Sequence, residues 1–484
     1  MRPRLRALAD WLDRRTGLVS ALAETAGHRV PRSSASWWYV FGSATLVAFV
    51  LQVVTGICLA TVYAPSANDA WASLVALDYD VPLGWFLRAL HGWGSNFMVA
   101  LMVMHLIQVF LFGAYKYPRE LTWTVGVFLL LLTLGMAFTG QIMRFDQDAY
   151  WGLGIGASIA GRTPFVGRAL VHLLLGGPII AGATLSRFFT LHVFVVPGLL
   201  IALVGLHLLL VLRLGVNEWP MPGRLVSRET YRAEYEALVA ADGVPFFPDA
   251  AKRDLVFAGV IILALVACAA MFGPIGPGGQ PDPRIIATEP APDFFFLWIY
   301  AALALLPANL ETPLLLTAPV VAVAVLLAVP YVSGTGEKSW RRRPFALIVV
   351  VTVLLVVGTL TYLGTFAPWS PEMTAWSALR TPTAYLKDRS PLALQGALLV
   401  QSKQCRNCHS LGGEGGLRGP ALDDVATRLT HDQLIRQVLQ GGGQMPAYGK
   451  NLSPPEVTAL VAFLETLYPA GQPRARDASA PAVP

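Results

Sequence analysis

Cys405, Cys408 and His409 stand together near the C-terminus, in the stretch LVQSKQCRNCHSLGG. The Cys-x-x-Cys-His spacing is typical of covalent haem attachment, in which both thiols form thioethers and the histidine becomes an axial iron ligand. Half of a zinc site or a stray dithiol is the alternative, but the sequence has no second Cys/His pair nearby. Met445, in the later stretch GGGQMPAYGK, offers a thioether for the opposite axial position. The pattern predicts one covalent haem c.

Four more histidines lie in two long apolar segments. His91 and His105 are 14 residues apart, and His192 and His207 are 15 residues apart. At about 100° and 1.5 Å per residue, each pair shares roughly one helix face, with its members about 20 Å apart. The histidines could instead bond to the backbone or line a proton path. Two matched pairs favour two non-covalent b haems, an outer one at His91 and His192 and an inner one at His105 and His207.

Glycines repeat at the same interval in two neighbouring segments. Gly42 and Gly56 are 14 residues apart, as are Gly126 and Gly140. A glycine leaves room for a porphyrin edge between helices, although small residues also serve ordinary helix contacts. The shared interval predicts that these glycines line the haem sites.

Two arginines lie close to the outer histidines. Arg88 is one turn before His91, and Arg187 is near the predicted outer end of the segment that contains His192. Either side chain could pair with a haem propionate or snorkel to the membrane interface.

The segments that carry these residues are membrane helices. Of 484 residues, 55% are hydrophobic and 14% are charged, whereas a soluble chain has about a quarter charged residues. A crossing helix needs about 20 apolar residues, and seven segments satisfy this: 37–63, 85–112, 121–143, 188–212, 255–272, 312–332 and 344–365. The shorter run 294–307 predicts an interfacial or re-entrant helix. We expect an all-α fold, with a seven-helix membrane bundle and a small soluble helical domain for haem c.

Lysine and arginine indicate the orientation. The N-terminal arm and the second-to-third, fourth-to-fifth and sixth-to-seventh connections carry nineteen, against five in the other connections. Positive connections stay in the cytoplasm, so the N-terminus is predicted to be cytoplasmic. Seven crossings then place the haem c domain on the periplasmic side of a bacterial cytoplasmic membrane, where such haems are attached. The net charge of +6 reflects these loops and does not indicate a nucleic-acid partner. The basic N-terminus does not resemble a signal peptide.

The segments suggest a division of the chain into seven parts. They are an N-terminal arm 1–36, a four-helix dihaem core 37–214, a cytoplasmic connection 215–254, a three-helix part 255–366, a linker 367–392, a haem c domain 393–470 and a disordered tail 471–484. Cys58 and Cys268 lie in apolar runs, as expected of inert core residues.

Four stretches carry a family resemblance: FLRALHGWGSN, KYPRELTW, FTGQIMRFDQDAYWG and LSRFFTLHVFVVPG. The first four helices resemble cytochrome b of the quinol-oxidising cytochrome bc and bf complexes, with the 15-residue histidine interval of the bf variant. Residues 245–365 resemble the separate three-helix subunit of the bf complexes. The C-terminal domain resembles a class I mono-haem cytochrome c.

The resemblance implies a quinol:cytochrome c oxidoreductase subunit of the Q-cycle type. Quinol would be oxidised at the outer face. One electron would pass to a separate Rieske iron–sulfur protein and haem c, and the other through both b haems to a quinone at the cytoplasmic face. The expected partners are the Rieske protein, the quinone pool, a periplasmic acceptor (a soluble cytochrome c or an oxidase) and a second copy of the chain. Tethering haem c raises its effective concentration at the membrane.

The resemblance also places the quinol site. Pro292–Phe295 occupies the position of the family's Pro-Glu-Trp-Tyr motif, and Asp293 keeps the carboxylate that would accept a quinol proton. An aspartate before a helix is also a common N-cap. Val40 replaces the cysteine to which the bf branch attaches an extra haem, so we expect no covalent haem there. Gln108 stands where a basic partner of an inner propionate is expected, and Lys116 could replace it.

A different function would use the same haem ligands. The chain could be a non-bifurcating membrane anchor that connects quinone to a periplasmic redox enzyme without a Rieske protein. Asp293 favours the Q-cycle interpretation, whereas the altered Phe294 and Phe295 keep this alternative open. A haem or ion transporter would leave the axial-ligand spacing unexplained. His28, His172 and His431 have no evident partner and are expected in surface or hydrogen-bonded roles.

Overall fold

The structure is a computed structural model, and it describes residues 3–177, 180–281, 292–366, 380–403, 405–407, 409–415, 419–441, 445, 447–449 and 452–475. Cys408, the linker residues 367–379 and the tail residues 476–484 lie outside the described residues.

Seven helices are long and apolar enough to cross a membrane. They are Phe41–Ala60, Gly84–Leu111, Glu120–Met143, Gly182–Leu214, Phe246–Phe272, Asn309–Val332 and Pro344–Phe366. Each overlaps one of the seven predicted segments, which confirms the helical membrane bundle. Apolar runs of this length become helices because lipid offers no partner for backbone polar groups. The eighth run forms the short helical stretch Phe294–Leu305.

The α-helices are numbered in chain order. They are α1 (Pro3–Thr16), α2 (Leu18–Gly27), α3 (Phe41–Ala60), α4 (Ala70–Tyr79), α5 (Gly84–Leu111), α6 (Glu120–Met143), α7 (Gln147–Gly161), α8 (Gly167–Leu175), α9 (Gly182–Thr190), α10 (Val196–Leu214), α11 (Tyr231–Asp242), α12 (Ala251–Phe272), α13 (Leu297–Leu305), α14 (Ala308–Val332), α15 (Pro344–Phe366), α16 (Pro391–Ser402), α17 (Val425–Arg428), α18 (His431–Gln440) and α19 (Pro454–Leu464).

The fourth membrane helix contains a break in its regular winding. Its stretches α9 and α10 are joined by a π-helical turn over Leu191–Val195. A kink at Phe246–Ala250, where Phe247 has extended φ/ψ angles, leads into α12. Single π-turns inside helices occur frequently at functional sites, and the turn Leu191–Val195 contains His192.

Three antiparallel pairs of short strands join connecting segments. The strands are β1 (Arg29–Pro31), β2 (Leu225–Val226), β3 (Gly243–Pro245), β4 (Gly336–Glu337), β5 (Ser410–Leu411) and β6 (Glu414–Gly415). β1 pairs with β3, β2 with β4, and β5 with β6. The first two pairs tie the N-terminal arm and the sixth-to-seventh connection to residues 215–254, which the sequence analysis treated as a plain connection.

The chain forms two compact units. Unit 1 contains residues 1–144, 185–277 and 318–356, and unit 2 contains residues 145–184, 278–317 and 357–484. In unit 1, α3 and α12 pack on α5, and α10 packs on α6. Small residues let α3 approach its neighbours closely, since Ala44 and Ala48 are fully buried beside Met98 and Leu101 of α5. This packing places the faces of α3, α5, α6 and α10 toward one another.

The C-terminal domain in unit 2 is built around the crossing of α16 and α19. A side chain at Gly396 would collide with the Ala459 carbonyl oxygen, so only glycine allows this crossing. Capping boxes begin two of the helices, Thr430 with Gln433 at α18 and Ser453 with Glu456 at α19. The helices enclose an apolar core against which Met445 packs.

Candidate functional site

The outer histidines face each other in unit 1. The imidazole centroids of His91 on α5 and His192 in the π-turn are 6.3 Å apart. An iron held between two imidazoles needs ring centroids about 6 Å apart. Each metal–nitrogen bond accounts for about 2 Å, and the distance from each nitrogen to the centroid of its ring accounts for the rest. The pair therefore fits bis-histidine ligation of a haem iron.

Hydrogen bonds determine which nitrogen of each outer histidine could bind the metal. Thr55 Oγ1 lies 2.9 Å from His91 Nδ1, and Thr139 Oγ1 lies 2.9 Å from His192 Nδ1. Each threonine hydroxyl also donates to a carbonyl of its own helix, at Leu51 and Met136 respectively. The hydroxyl oxygens must therefore accept from Nδ1–H, which leaves both Nε2 lone pairs available to a metal.

The inner histidines occupy the other end of the same helices. His105 on α5 and His207 on α10 lie close enough to interact electrostatically. The Nδ1 atoms of both rings are buried and have no hydrogen-bond partner among the described residues. Ionisable side chains inside a membrane bundle mark a functional site by default, and this histidine pair is suited to hold a further group.

Each predicted glycine faces one of the four imidazoles. A Cβ atom would lie 3.2 Å from the His105 ring at Gly42, 3.2 Å from the His91 ring at Gly56, 3.7 Å from the His207 ring at Gly126 and 2.7 Å from the His192 ring at Gly140. The clearance is smallest at Gly140 and ordinary at Gly126. The glycines thus make room for the imidazoles, and their contact with a porphyrin edge stays a prediction.

The π-turn reconciles the unequal histidine intervals. In a regular α-helix, an interval of 15 residues turns the second side chain about 100° farther than an interval of 14 residues. A π-turn absorbs about one extra residue, and the turn Leu191–Val195 lies between α9 and α10. His192 and His207 therefore align much as His91 and His105 do on the uninterrupted helix α5.

The basic side chains near the haem sites already have protein partners. Arg88 pairs with Asp78, with Nε–Oδ1 and Nη2–Oδ2 distances of 2.8 and 2.5 Å, and also donates to the Ile275 and Gly276 carbonyls. Arg187 is exposed on α9. These four hydrogen bonds occupy most of the N–H groups of the Arg88 guanidinium. The geometry therefore supports Arg88 as a residue that stabilises the fold more than as the predicted partner of a haem propionate.

Lys116 is also committed to the protein. Its ammonium donates to Ser333 O at 2.5 Å, to Ser333 Oγ at 3.1 Å and to Thr335 O at 2.6 Å. These three acceptors use all three of its N–H groups. Lys116 thus holds the sixth-to-seventh connection in place. Its three N–H groups are used there, so none is left for the contact with an inner haem propionate that was predicted in place of Gln108.

The C-terminal motif presents a histidine in a defined tautomer. His409 Nδ1 lies 2.7 Å from the Pro420 carbonyl oxygen, which only accepts, so Nδ1 is protonated and Nε2 keeps its lone pair. A Cβ at Gly419 would lie 2.4 Å from this ring. Met445 Sδ lies 3.5 Å from Gln437 Nε2. Cys405 is partly buried at the start of the same loop, and Cys408 lies outside the described residues.

Asp293 occupies the N-cap position of the turn Phe294–Phe296, but its side chain makes no capping hydrogen bond. The backbone carbonyl of Asp293 instead accepts from Phe296 N at 2.8 Å. Pro292 and Asp293 are both partly buried. The capping alternative therefore has little support in the geometry, which keeps the carboxylate as a candidate proton acceptor.

Thr55 and Thr139 are functional candidates that the sequence analysis missed. The dipeptides Thr55-Gly56 and Thr139-Gly140 repeat beside the outer histidines, and this repeat was the signal that could have identified them. Of the unassigned histidines, His431 forms an exposed pair with Glu465 at 3.1 Å. His28 keeps a buried Nε2 without a partner among the described residues.

These features define a class of protein. A seven-helix membrane bundle with two facing histidine pairs, joined to a helical domain with a Cys-x-x-Cys-His motif, is a haem-binding electron-transfer protein of the membrane. A family model described as "Cytochrome b/b6/petB" matches residues 27–215. A model described as "Cytochrome C oxidase, cbb3-type, subunit III" matches residues 391–464.

Known relatives agree with these matches. The menaquinol:cytochrome c reductase cytochrome b subunit of Geobacillus thermodenitrificans is 36% identical, over 44% of this chain and 98% of that protein. Cytochrome b of Rhodobacter capsulatus is 31% identical, over 70% of this chain and 79% of that protein. The chain spans about half the length of a cytochrome bc complex cytochrome b subunit from Chlorobaculum thiosulfatiphilum, with 38% identity over 49% of that protein.

A solved structure extends the similarity. A chain of a hyperthermophilic respiratory Complex III matches with a TM-score of 0.64 and 27% identity, covering 75% of this chain and 92% of that chain. The chain described here belongs to the cytochrome b family. Its cytochrome c domain follows the cytochrome b part in the same polypeptide.

Proposed function

We propose that the chain is the cytochrome b–c subunit of a quinol:cytochrome c oxidoreductase that works by a Q-cycle. The observation that carries this proposal is the stacking of two histidine pairs along α5 and the fourth membrane helix, with a glycine opposite each ring. An electron path between the two membrane faces needs two such sites. The relatives described as reductase subunits support this proposal.

His91 and His192 would hold the outer b haem, and His105 and His207 the inner one. His409 and Met445 would hold the iron of a haem attached to Cys405 and Cys408. Bound haem would supply reversible one-electron transfer. Thr55 and Thr139 would orient the outer imidazoles by accepting their Nδ1–H groups.

Asp293 would accept a proton from quinol at the outer face. A carboxylate at this position is suited to the role, because Asp and Glu side chains act as general bases where they reach the reacting proton. The proton would then leave to the periplasm. One electron would go to a Rieske iron–sulfur protein and on to the c domain, and the other would cross the membrane to a quinone.

The distribution of lysine and arginine supports a cytoplasmic N-terminus and a periplasmic c domain. A soluble cytochrome c or an oxidase would accept the electrons there. By analogy with bc-type complexes, the working assembly would contain a Rieske protein and two copies of this chain.

The test is to purify the complex and compare three forms. We expect two b haems and one c haem per chain, together with a Rieske signal. Asp293→Asn should lower quinol-dependent reduction of the c haem by roughly 100-fold, with all haems retained, and Asp293→Glu should keep most of the rate. Parent-like turnover of the Asn variant without a Rieske signal would instead support the non-bifurcating anchor.

A further inference from the structure

The residues just before α16 lie against the loop that carries the Cys-x-x-Cys-His motif. They are residues 380–390, which we call the strap. The strap belongs to the stretch expected as a linker, yet Thr381 is 6% exposed, and Tyr385 and Leu386 pack on the apolar core of the domain. The cytochrome c family model matches from residue 391 onward, so the strap lies outside the matched part of the domain.

Arg406, between the two cysteines of the motif, holds the start of the strap. Its guanidinium is 1% exposed, and Nη1 donates to the Arg380 carbonyl at 2.7 Å. Nη2 donates to the carbonyls of Leu411 and Glu414 at 3.3 and 2.8 Å. These two residues belong to β5 and β6, which form a hairpin directly after the motif. Because a buried charge is costly unless it is hydrogen-bonded, Arg406 binds the strap and the hairpin to each other.

Tyr385 fastens the strap to the hairpin at a second point. Its hydroxyl donates to Asp423 Oδ1, and the Gly412 amide donates to the same oxygen at 2.8 Å. Gly412 lies in the turn between β5 and β6 with a φ of +66°, and a Cβ there would lie 3.2 Å from the Tyr385 ring. The hydrogen bond to the carboxylate raises the pKa of Tyr385, so the hydroxyl stays a donor at neutral pH. Asp423 thus joins the strap to the turn of the hairpin.

Asp423 ends a short loop that orients the histidine of the motif. The loop begins at Pro420, whose carbonyl oxygen lies 2.7 Å from His409 Nδ1. Between them, the Leu422 amide donates to the Ser410 carbonyl at 2.9 Å. The loop is therefore attached beside His409 through Leu422 and attached to the strap through Asp423. These two attachments restrict the movement of the Pro420 carbonyl relative to the imidazole.

We propose that Tyr385 and Arg406 are positioning residues of haem c. They fasten the strap across the hairpin and, through Asp423, hold the Pro420 carbonyl against His409. This inference rests on the proposed function, in which His409 holds the haem iron. A hydrogen bond from Nδ1–H to a fixed acceptor makes an imidazole a stronger electron donor to its metal. The strap therefore lowers the midpoint potential of haem c, in addition to stabilising the domain.

The variant Tyr385→Phe separates positioning from packing. It removes the hydroxyl that holds Asp423 and keeps the ring over Gly412, so the hairpin stays covered. Its matched control is Tyr468→Phe, because Tyr468 follows α19 and is 42% exposed. The equilibrium constant for reduction of haem c should rise roughly threefold in Tyr385→Phe, which is about 30 mV for a one-electron couple. The control should keep the parent potential.

Trypsin measures the attachment of the strap directly. Residues 367–379 contain no lysine or arginine, so the first trypsin sites after the seventh membrane helix are Arg380, Lys387 and Arg389 in the strap. Cleavage there releases the c domain from sedimented membranes, and the mass of the released fragment identifies the site. An attached strap must open locally before it is cut. Loss of a hydrogen bond to a charged group favours opening by roughly tenfold or more, so release should be at least tenfold faster in Tyr385→Phe and in Arg406→Met.

The two measurements together decide the proposal. Arg406→Met leaves three carbonyls without their donor, so if this variant fails to fold, Tyr385→Phe still provides the test. Equal release rates in Tyr385→Phe and Tyr468→Phe would show that Tyr385 does not fasten the strap. Faster release with an unchanged or lower potential of haem c would overturn the positioning role and leave the strap as packing. Absence of covalent haem c from the parent would contradict the proposed function instead, and the release rate would still report the strap.

Discussion

Replacing Gly140 by alanine should disturb the outer haem site, whereas the same replacement at Gly126 should be tolerated. Both glycines lie on α6, where alanine favours the helix by about 1 kcal/mol, so any loss must come from the contacts of the added methyl group. At Gly140 that group would stand 2.7 Å from His192 Cε1, and at Gly126 it would stand 3.7 Å from His207 Cε1. Only the first distance is shorter than an ordinary contact.

The magnitude follows from the required movement of His192. Ordinary contact begins at 3.4 Å, so the ring must retreat by about 0.7 Å, which stretches its 2.9 Å bond to Thr139 beyond hydrogen-bonding range. Loss of such a supporting bond lowers metal affinity about 10- to 100-fold, about 1.4 to 2.8 kcal/mol.

The assay is haem quantification in the purified complex, followed by a redox titration of the b haems. Gly140→Ala should lose part of its outer b haem or shift the midpoint potential of that haem, and Gly126→Ala should match the parent. If Gly140→Ala keeps two unshifted b haems while Gly126→Ala loses one, the assignment of glycines to histidines is wrong.

Two further predictions concern the ligands. Thr139→Val should raise the midpoint potential of the outer b haem, because the imidazole loses the acceptor for its Nδ1–H and becomes a weaker electron donor; Thr133→Val on the same helix is the control, and equal shifts in both variants would contradict this reasoning. His207→Leu should remove the inner b haem and leave the outer one reducible by quinol, as a haem spectrum and titration would show. Retention of both b haems in His207→Leu would refute the pairing.

The membrane helices and the histidine pairs were predictable because each follows from one local feature of the sequence. Apolar runs in lipid must satisfy their own backbone groups, which leaves the helix as the fold of each run. Intramembrane histidines separated by 14 and 15 residues then share a face of their helix. The glycine opposite each ring was predictable from the repeated interval, although its contact with the imidazole was not.

The buried group formed by Glu218, Tyr231 and Lys338 could not be predicted, because its members come from two different connections. Glu218 follows the fourth membrane helix, Tyr231 begins α11, and Lys338 follows the sixth membrane helix. In the sequence each lies in a basic connection and is indistinguishable from a solvated loop residue. The pairing of β2 with β4, Val226 opposite Gly336, helps to bring these connections together.

Arg88 shows a similar limit of the sequence. Its position one turn before His91 suggested a propionate partner, but Asp78 at the end of α4 binds its guanidinium. The sequence separation of ten residues gives no helical reason for this contact, since α4 and α5 are separate helices. The packing of α4 on α5 creates the ion pair.

The π-turn yields the last prediction. Deleting Val195 shortens the His192–His207 interval to 14 residues, which a regular α-helix aligns as it does His91 and His105. We therefore expect this deletion to retain both b haems. Deleting Val103 is the control, because it shortens the His91–His105 interval inside the uninterrupted helix α5. Val195 and Val103 are both exposed, at 45% and 37%, so neither deletion removes a core side chain.

The two deletions should therefore differ only in whether the two histidines of the shortened helix stay on the same helix face. Without Val103, His105 turns by about 100° relative to His91, and one b haem should be lost. Haem quantification and redox titration distinguish the outcomes. Loss of a b haem in the Val195 deletion would show that the π-turn is itself required, because its winding at His192 would then set the ligand geometry independently of the interval.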